Sequence, residues 1–329
     1  MMTTVVDPRA MDLEPNTLAW LKTLETQGGP PIYTLSPTEA RSVLVNLQSS
    51  AHIPPLPADS EDRIIRGGPI GEISLRIIRP PGVTSALPGI VYFHGGGWVL
   101  GDKETHDRLI RELANGAGAT VVFVDYARSP EARYPVALEQ AYAATNWVAE
   151  NGTLVGVDPS RLVVAGDSVG GNMATVVAML AKERGGPKIG FQALFYPVTD
   201  ANFESQSYQQ YGAGGYWLTR DAMRWFWDSY APEAVRNDPK VSPLRASLEQ
   251  LRGLPPALVI TDENDVLRDE GEAYAHKLMA AGVPTVGTRY LGTIHDFMLL
   301  NPITPTPAAR AAISQVTNTL RIAFTQRTA

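Results

Sequence analysis

The feature that most constrains the fold is an alternation of short apolar runs with helical patterns along most of the chain. The runs typical of strands lie at 73–78, 90–93, 120–126, 162–166, 193–197, 257–261 and 288–291. The helical patterns lie at 105–115, at 136–149, after residue 170, after residue 265 and at 307–324. Short β-branched and aromatic runs are typical of strands buried on both faces. The alternation therefore predicts a mostly parallel central sheet with helices on both faces, an α/β fold.

Two segments depart from this alternation. Helical patterns at 16–24 and 37–47 precede the proline-rich run HIPPLPAD, and residues 201–245 lack any strand pattern. The second segment carries a dense aromatic set: Tyr208, Tyr211, Tyr216, Trp217, Trp225, Phe226, Trp227 and Tyr230. We predict N-terminal cap helices in 1–55 and a helical cap insertion in 201–245. The core would then comprise 56–200 and 246–329.

Composition excludes several classes of protein. The 329 residues contain no cysteine, which rules out disulfides, a thiolate nucleophile and cysteine-ligated metals and suits a cytoplasmic protein. The net charge is −6 and there is no lysine or arginine run, so we expect no nucleic-acid partner. The N-terminus lacks a signal-peptide pattern, and no apolar run approaches the ~20 residues of a membrane helix. The oligomeric state stays open, with a homodimer as one candidate.

The sharpest motif is Gly166-Asp167-Ser168-Val169-Gly170, a G-x-S-x-G pattern. It lies directly between the strand-like run LVVA and a helical run. A serine at a sharp strand-to-helix turn is exposed for attack, and glycine on either side avoids steric overlap in the turn. The pentapeptide alone would also fit a glycine-rich turn. Its position between strand and helix favours Ser168 as a catalytic nucleophile.

A second glycine motif, His94-Gly95-Gly96-Gly97-Trp98, follows the strand-like run IVYF. Adjacent glycines leave backbone N–H groups unobstructed, as an oxyanion hole requires. We predict Gly96 and Gly97 as donors, with the Val169 N–H as a third. A flexible loop or a phosphate cradle are the alternatives, although neither nucleotide-binding glycine pattern matches this segment. His94 is expected to orient the loop rather than act as a base.

Five histidines compete for the role of general base: His52, His94, His106, His276 and His295. His295 alone follows a late strand, in the loop GTIHDF, whereas His106 and His276 lie on helical patterns where surface or packing roles are usual. The orienting carboxylate comes from TDENDVLRDEG, in which Asp262, Glu263, Asp265, Asp269 and Glu270 compete. We favour Asp265 because it stands where a loop enters a helix, although it could instead be a helix N-cap. Asp269 and Glu270 should lie in the first turn of that helix. An EF-hand is excluded by the ligand spacing.

These motifs resemble the bacterial hormone-sensitive lipase family of esterases over nearly the whole chain. HGGGW, DYARSPEARYP, GDSVGGN, DVLRDEG and IHDF occur in the family's order. The resemblance implies an α/β-hydrolase fold with a helical cap, and a carboxylic-ester hydrolase favouring short acyl chains. It matches Ser168, Asp265 and His295 to the family's triad, in the chain order expected for this fold.

The resemblance also implies a small-molecule ester substrate and an acyl-enzyme mechanism that needs no metal or organic cofactor. Trp98, Asp167, Tyr211 and Trp217 are predicted to contact the substrate. Three residues depart from the family's pattern: Val169 replaces alanine and should narrow the pocket, Val266 replaces proline, and Asp296 replaces glycine beside the base. These departures leave the acyl-size preference and the pH profile open.

Two other functions are alternatives to an ester hydrolase. Plant gibberellin receptors resemble this family but usually lack the triad histidine, whereas His295 is present here, which disfavours a pure binding protein. A thioesterase, lactonase or amidase would share every motif.

Overall fold

Eight strands form one sheet in the order β1-β2-β4-β3-β5-β6-β7-β8 in the computed structural model, which describes residues 7–67 and 71–325. The strands are β1 Asp59–Arg66, β2 Glu72–Arg79, β3 Leu87–Phe93, β4 Thr120–Asp125, β5 Val157–Asp167, β6 Gln192–Phe195, β7 Ala257–Asn264 and β8 Thr285–Ile294. Strands β3 to β8 run parallel, and β2 pairs antiparallel with both β1 and β4. The predicted mostly parallel sheet is confirmed.

The sheet has a helical layer on each face. The helices are α1 Pro15–Gln27, α2 Pro37–Ser50, α3 Asp107–Ala117, α4 Val136–Asn151, α5 Val169–Arg184, α6 Gln206–Tyr211, α7 Arg220–Tyr230, α8 Leu248–Leu251, α9 Arg268–Ala280 and α10 Pro307–Thr325. Along β3, Val91 and Phe93 face the core shared with α4 and α5, whereas Ile90 and Tyr92 face the core shared with α3 and α10. The period-2 alternation of a strand thus supplies two hydrophobic cores, one on each side of the sheet.

The edge strand β1 was not among the predicted strands. Its sequence, DSEDRIIR, is mostly charged, and only Ile65 in it is fully buried. The strand exists because eight of its residues pair in register with β2. A solvent-facing edge strand needs no apolar alternation, so the hydrophobic pattern carries no signal for it.

The N-terminal helices are attached to the core by hydrogen bonds from α2. The Arg41 guanidinium donates to the carbonyls of Val99 and Ser129 and pairs with Glu131. The buried Gln48 amide donates to the carbonyls of Thr105 and Leu299. These bonds hold α2 against the carboxyl ends of the parallel strands, where ligands bind in open α/β sheets.

The boundaries proposed for cap and core include residues 1–6, 68–70 and 326–329, which lie outside the described residues. In residues 7–67 and 71–325, no helix combines the length and hydrophobicity that a bilayer crossing requires.

Candidate active site

Ser168 lies at the sharp turn between β5 and α5. Its backbone has φ 54° and ψ −120°, a conformation that a non-glycine residue adopts only where the surrounding structure holds it. A Cβ at Gly170 would overlap the carbonyl oxygen of Phe93, and one at Gly166 would overlap the backbone of Gly170. The two flanking glycines are therefore needed because the turn packs against the end of β3.

The structure brings the predicted nucleophile, base and carboxylate together. His295 Nε2 lies 3.0 Å from Ser168 Oγ, and His295 Nδ1 lies 2.8 Å from Asp265 Oδ2. Asp265 also accepts a hydrogen bond from the Leu267 N–H, 3.1 Å away. All three side chains are buried, and each comes from the carboxyl end of a parallel strand: β5, β7 and β8. The chain of hydrogen bonds can pass a proton from the hydroxyl to the imidazole.

The other carboxylates of the run have different partners. Glu270 accepts from the backbone N–H groups of Thr199 and Asp200, and Asp269 accepts from the Ser207 N–H. Both residues lie in the first turn of α9, as predicted, and their side chains bind the segment that follows β6. Asp262 is fully buried, and neither of its carboxyl oxygens has a hydrogen-bond partner in the described part of the chain. Burial and the nearby charge of Asp265 raise the pKa of Asp262 well above its usual value, which favours the protonated form.

Asp262, Asp265 and His295 each place one ligand atom within 4.8 Å of the others, a spacing that a cation could bridge. However, the Nδ1 of His295 and the Oδ2 of Asp265 already share a hydrogen bond. Their geometry is that of an acid–base pair.

Negative charge surrounds the imidazole of His295. Burial alone would lower the pKa of His295, but the charges of Asp265 and Asp296 outweigh it and raise this pKa to about 9. The Asp296 Oδ1 lies 3.5 Å from His295 Nε2. The ring of Tyr196 contacts the imidazole edge-on from β6, with centroids 5.0 Å apart. A base with this pKa is largely protonated at neutral pH and becomes neutral as the pH rises through about 9.

Gly96 and Gly97 line the same cavity as Ser168. Their backbones have φ 101° and 62°, values that favour glycine. In the described residues, the N–H groups of Gly96, Gly97 and Val169 donate to no protein acceptor. Free N–H groups beside a nucleophile can receive the negative charge of a tetrahedral intermediate.

A buried polar cluster, which the sequence did not reveal, holds the glycine loop to the serine turn. The Asp167 carboxylate accepts from the Tyr92 hydroxyl at 2.6 Å, the Gly95 N–H at 3.0 Å and His106 Nε2 at 3.3 Å. Asp167 is fully buried and is not among the residues that line the cavity. These internal donors occupy the carboxylate that the sequence predicted to contact substrate.

The two histidines near this cluster are also buried. His106 was expected at a surface or packing position on a helix; it precedes α3 and contacts Asp167. His94 stacks on Tyr126 with ring centroids 4.0 Å apart, and its Nδ1 lies 2.8 Å from the Gly95 carbonyl. Burial lowers the pKa of His94 to about 3, so it stays neutral and orients the glycine loop.

A cavity of about 280 Å³ opens onto Ser168 and His295. Two segments, residues 30–44 and 217–226, supply most of its wall: Pro30, Pro31, Ile32, Tyr33, Val43, Leu44, Trp217, Leu218, Thr219, Ala222, Met223 and Phe226. Core residues complete the wall: Gly96, Gly97, Leu100, Asp296 and Leu299. The predominance of apolar side chains with a few convergent polar groups is typical of a small-molecule site.

Of the predicted substrate contacts, only Trp217 lines the cavity. Trp98 is fully buried and stacks on Tyr230 at a centroid distance of 3.8 Å. Tyr211 is buried beside α9, where the Arg268 guanidinium donates to its hydroxyl at 3.1 Å. The Val169 side chain is fully buried in the core and does not line the cavity, so it does not narrow it as expected. Of the three adjacent aromatic residues Trp225, Phe226 and Trp227, Phe226 lines the cavity.

Comparison with known proteins places this site in a family. Residues 90–299 match the family described as the alpha/beta hydrolase fold. The ethyl acetate hydrolase of Pseudomonas putida is 37% identical over 307 residues, 89% of this chain and 94% of that protein. The carboxylesterase NlhH of Mycobacterium tuberculosis is 41% identical over 250 residues, 75% of this chain and 78% of that protein. A thermostable esterase of Pseudomonas putida is 53% identical, with a TM-score of 0.93 over 95% of this chain and 98% of that one.

The fold and the buried Ser–His–Asp arrangement define the class of the α/β-hydrolases. The chain belongs to that family and, within it, to the branch of esterases related to hormone-sensitive lipase. The family predicted from the sequence is confirmed.

Proposed function

We propose that Ser168, His295 and Asp265 are the triad with which this serine carboxylesterase hydrolyses esters. His295 takes the hydroxyl proton as Ser168 attacks the ester carbonyl, and Asp265 orients the imidazole and stabilises its protonated form. The N–H groups of Gly96, Gly97 and Val169 bind the oxyanion. His295 then protonates the leaving alcohol, and water releases the acid from the acyl-enzyme by the reverse route.

The observation that carries this proposal is the continuous set of hydrogen bonds from Ser168 Oγ through His295 to Asp265. It supports nucleophilic catalysis because the hydroxyl can pass its proton to the imidazole, and the carboxylate can orient that imidazole, without a large movement of any of the three. The apolar cavity on the serine side of the imidazole supports a small neutral substrate.

We also propose short to medium acyl chains as substrates, around butyrate to hexanoate. The support is a wall built largely by two segments, residues 30–44 and 217–226, which enclose the space above Ser168. We propose that these segments, within the boundaries 1–55 and 201–245, form one cap. We also propose that the protein is cytoplasmic and forms a homodimer. Light scattering would test for the dimer.

Two measurements test the proposed function. Wild-type protein should react with an organophosphate at one site, and Ser168→Ala should show neither the adduct by intact mass nor ester hydrolysis. Labelling of Ser168→Ala at wild-type stoichiometry would falsify the assignment. A series of p-nitrophenyl esters from acetate to palmitate, run beside matched thioesters, lactones and amides, should give the highest kcat/KM for the short oxygen esters.

A further inference from the structure

Asp296 stands directly after His295 with a backbone φ of 67°, in the left-handed region that few non-glycine residues adopt. Its backbone carbonyl accepts hydrogen bonds from the N–H groups of Leu299 and Leu300, at 2.7 and 2.9 Å. The tight turn therefore holds the Asp296 side chain against the base rather than out towards solvent. The side chain lines the catalytic cavity and is only 14% exposed.

The two carboxyl oxygens of Asp296 have different surroundings. Oδ2 accepts a hydrogen bond from Trp217 Nε1 at 3.1 Å. Oδ1 is buried, has no hydrogen-bond partner in the described part of the chain, and lies 3.5 Å from His295 Nε2. An unpartnered buried carboxyl oxygen is unfavourable, and a protonated imidazole would supply the missing donor.

Trp217 connects this carboxyl group to the cap. Its φ of 81° is also in the left-handed region, and its ring packs against Trp20 of α1 with centroids 5.4 Å apart. Two residues with left-handed backbones, both lining the cavity, thus meet in one hydrogen bond. Backbone strain of this kind persists where the surrounding structure enforces it and clusters at functional sites.

We propose that Asp296 is a positioning residue: its Oδ1 is a second acceptor for the Nε2–H of protonated His295, and the Trp217 indole holds it there. The inference rests on the proposed triad. Protonated His295 then has two acceptors for one proton, Ser168 Oγ at 3.0 Å and Asp296 Oδ1 at 3.5 Å. Asp296 stabilises the imidazolium, and the cap thereby influences the pH at which the base becomes free to act.

Other charged and titratable groups also face the imidazole. Asp265 and Asp262 approach from the β7 side, Asp167 from the end of β5, and Tyr196 from β6. Among the described residues that line the cavity, the cap contributes no charged side chain. Asp296 is thus the charged group whose placement depends on a contact with the cap.

The pH dependence of kcat/KM tests this role, because it reports the pKa of the base in the free enzyme. With ethyl butyrate in a pH-stat, wild-type kcat/KM should rise with pH through a midpoint near 9. Asp296→Asn should lower that midpoint by about one pH unit, since an opposite charge at this range favours the protonated base. Trp217→Phe, which keeps the ring packing and removes the N–H, should lower it by less.

A double variant tests whether Trp217 acts on the base through Asp296. Because Trp217 acts through Asp296, Asp296→Asn with Trp217→Phe should have the same midpoint as Asp296→Asn alone. Trp225 lies on α7 and does not line the cavity, so Trp225→Phe, which removes a different indole N–H, should leave the midpoint unchanged. An unchanged midpoint in Asp296→Asn, or additive shifts in the double variant, would overturn the proposal.

A second readout does not depend on hydrolysis. The His295 Cε1 signal of ¹³C-histidine-labelled protein in the Ser168→Ala background should titrate at lower pH when Asp296→Asn is added. An unshifted titration in well-folded protein contradicts the role of Asp296 even if the enzyme hydrolyses esters. Absence of ester hydrolysis in wild type would instead contradict the proposed function and leave the titration result standing. If Asp296→Asn fails to fold, Trp217→Phe gives the same test.

Discussion

Two buried aspartates, three residues apart at the end of β7, have different surroundings in this site. Asp265 accepts hydrogen bonds from His295 Nδ1 and the Leu267 N–H, whereas Asp262 accepts none in the described residues. A carboxylate that orients an imidazole must be hydrogen-bonded to it. Position along the chain favoured Asp265, which stands where a loop enters a helix, and the hydrogen bonds of the two aspartates now distinguish them directly.

We therefore expect the two conservative amide substitutions to differ sharply in activity. Asp265→Asn should lower kcat by about 10⁴, because the amide favours the wrong imidazole tautomer. Asp262→Asn should keep kcat within about tenfold of wild type, a barrier change of about 1.4 kcal/mol. Steady-state kinetics with one ester substrate would check both. If Asp262→Asn lost its activity and Asp265→Asn kept it, Asp262 would be the orienting carboxylate instead.

Asp262 should instead affect how stability depends on pH. Its pKa is raised in the folded protein by burial and by neighbouring negative charge, whereas the unfolded chain releases the proton above about pH 4. The folded state then binds more protons than the unfolded state, so this group costs increasing stability as pH rises above about 4. Asp262→Asn should therefore gain stability relative to wild type as the pH is raised.

Chemical denaturation between pH 5 and pH 8 measures this difference. Each unit of pKa shift corresponds to about 1.4 kcal/mol in the free energy of unfolding. Glu61→Gln, at a half-exposed side chain on β1, is the matched control and should show little pH-dependent difference. A difference between Asp262→Asn and wild type that is constant across this range would contradict a protonated Asp262.

At the scale of elements, the glycine loop after β3 is confined from two sides. A Cβ at Gly95 would meet the Asp167 carboxylate, and one at Gly97 would overlap the ring of Phe226 from α7. The loop's glycines therefore serve close packing as well as free N–H groups. Phe226 of α7 thus packs against the loop whose N–H groups are proposed to bind the oxyanion.

Gly97→Ala should accordingly impair catalysis far more than its backbone strain alone would. The added methyl group would displace the loop from Phe226, and losing one oxyanion donor costs about 10² or more in kcat. Gly118→Ala is a matched control, because Gly118 has the same φ of 62° and its added Cβ would meet open space. Gly118→Ala should cost about 1 kcal/mol of stability with kcat unchanged.

Gly97→Ala should lower kcat by a smaller factor in the Phe226→Ala protein than in the wild type, because the overlapping ring is gone. Equal kcat losses in the Gly97→Ala and Gly118→Ala proteins would mean that contact with α7 is unimportant.

At the scale of the whole molecule, the N-terminal segment is both cavity wall and core. Ile32, Tyr33 and Leu44 line the cavity, whereas Leu18 and Leu21 of α1 pack in the core beneath it. The Gln48 amide bonds to the Leu299 carbonyl, in the loop that follows His295. The segment that encloses the substrate is thus attached to the loop that carries the base.

Deletion of residues 1–50 should abolish activity on esters of every chain length, because it removes six of the residues that line the cavity and the support of the His295 loop. Far-UV circular dichroism should still report the sheet. The milder Val43→Ala, at a cavity residue that is 40% exposed, should mainly change the acyl-chain preference. Unchanged kcat/KM in the truncated protein would exclude the N-terminus from the binding site.

The sequence by itself determined the parallel sheet, its helices and the three residues that the structure brings together as a hydrogen-bonded set. These could be predicted because period-2 and period-3.6 patterns are local, and a strand–serine–helix turn requires glycine at fixed offsets.

Only the tertiary structure decided which polar groups near the serine meet one another. Asp167 lies next to Ser168 in sequence, yet it faces Tyr92 and His106, whereas Asp296 faces Trp217, 79 residues away. The mostly charged β1 is likewise defined by pairing with β2. Such contacts join distant segments, so their free energy depends on how the layers pack, and no local pattern of residues records it.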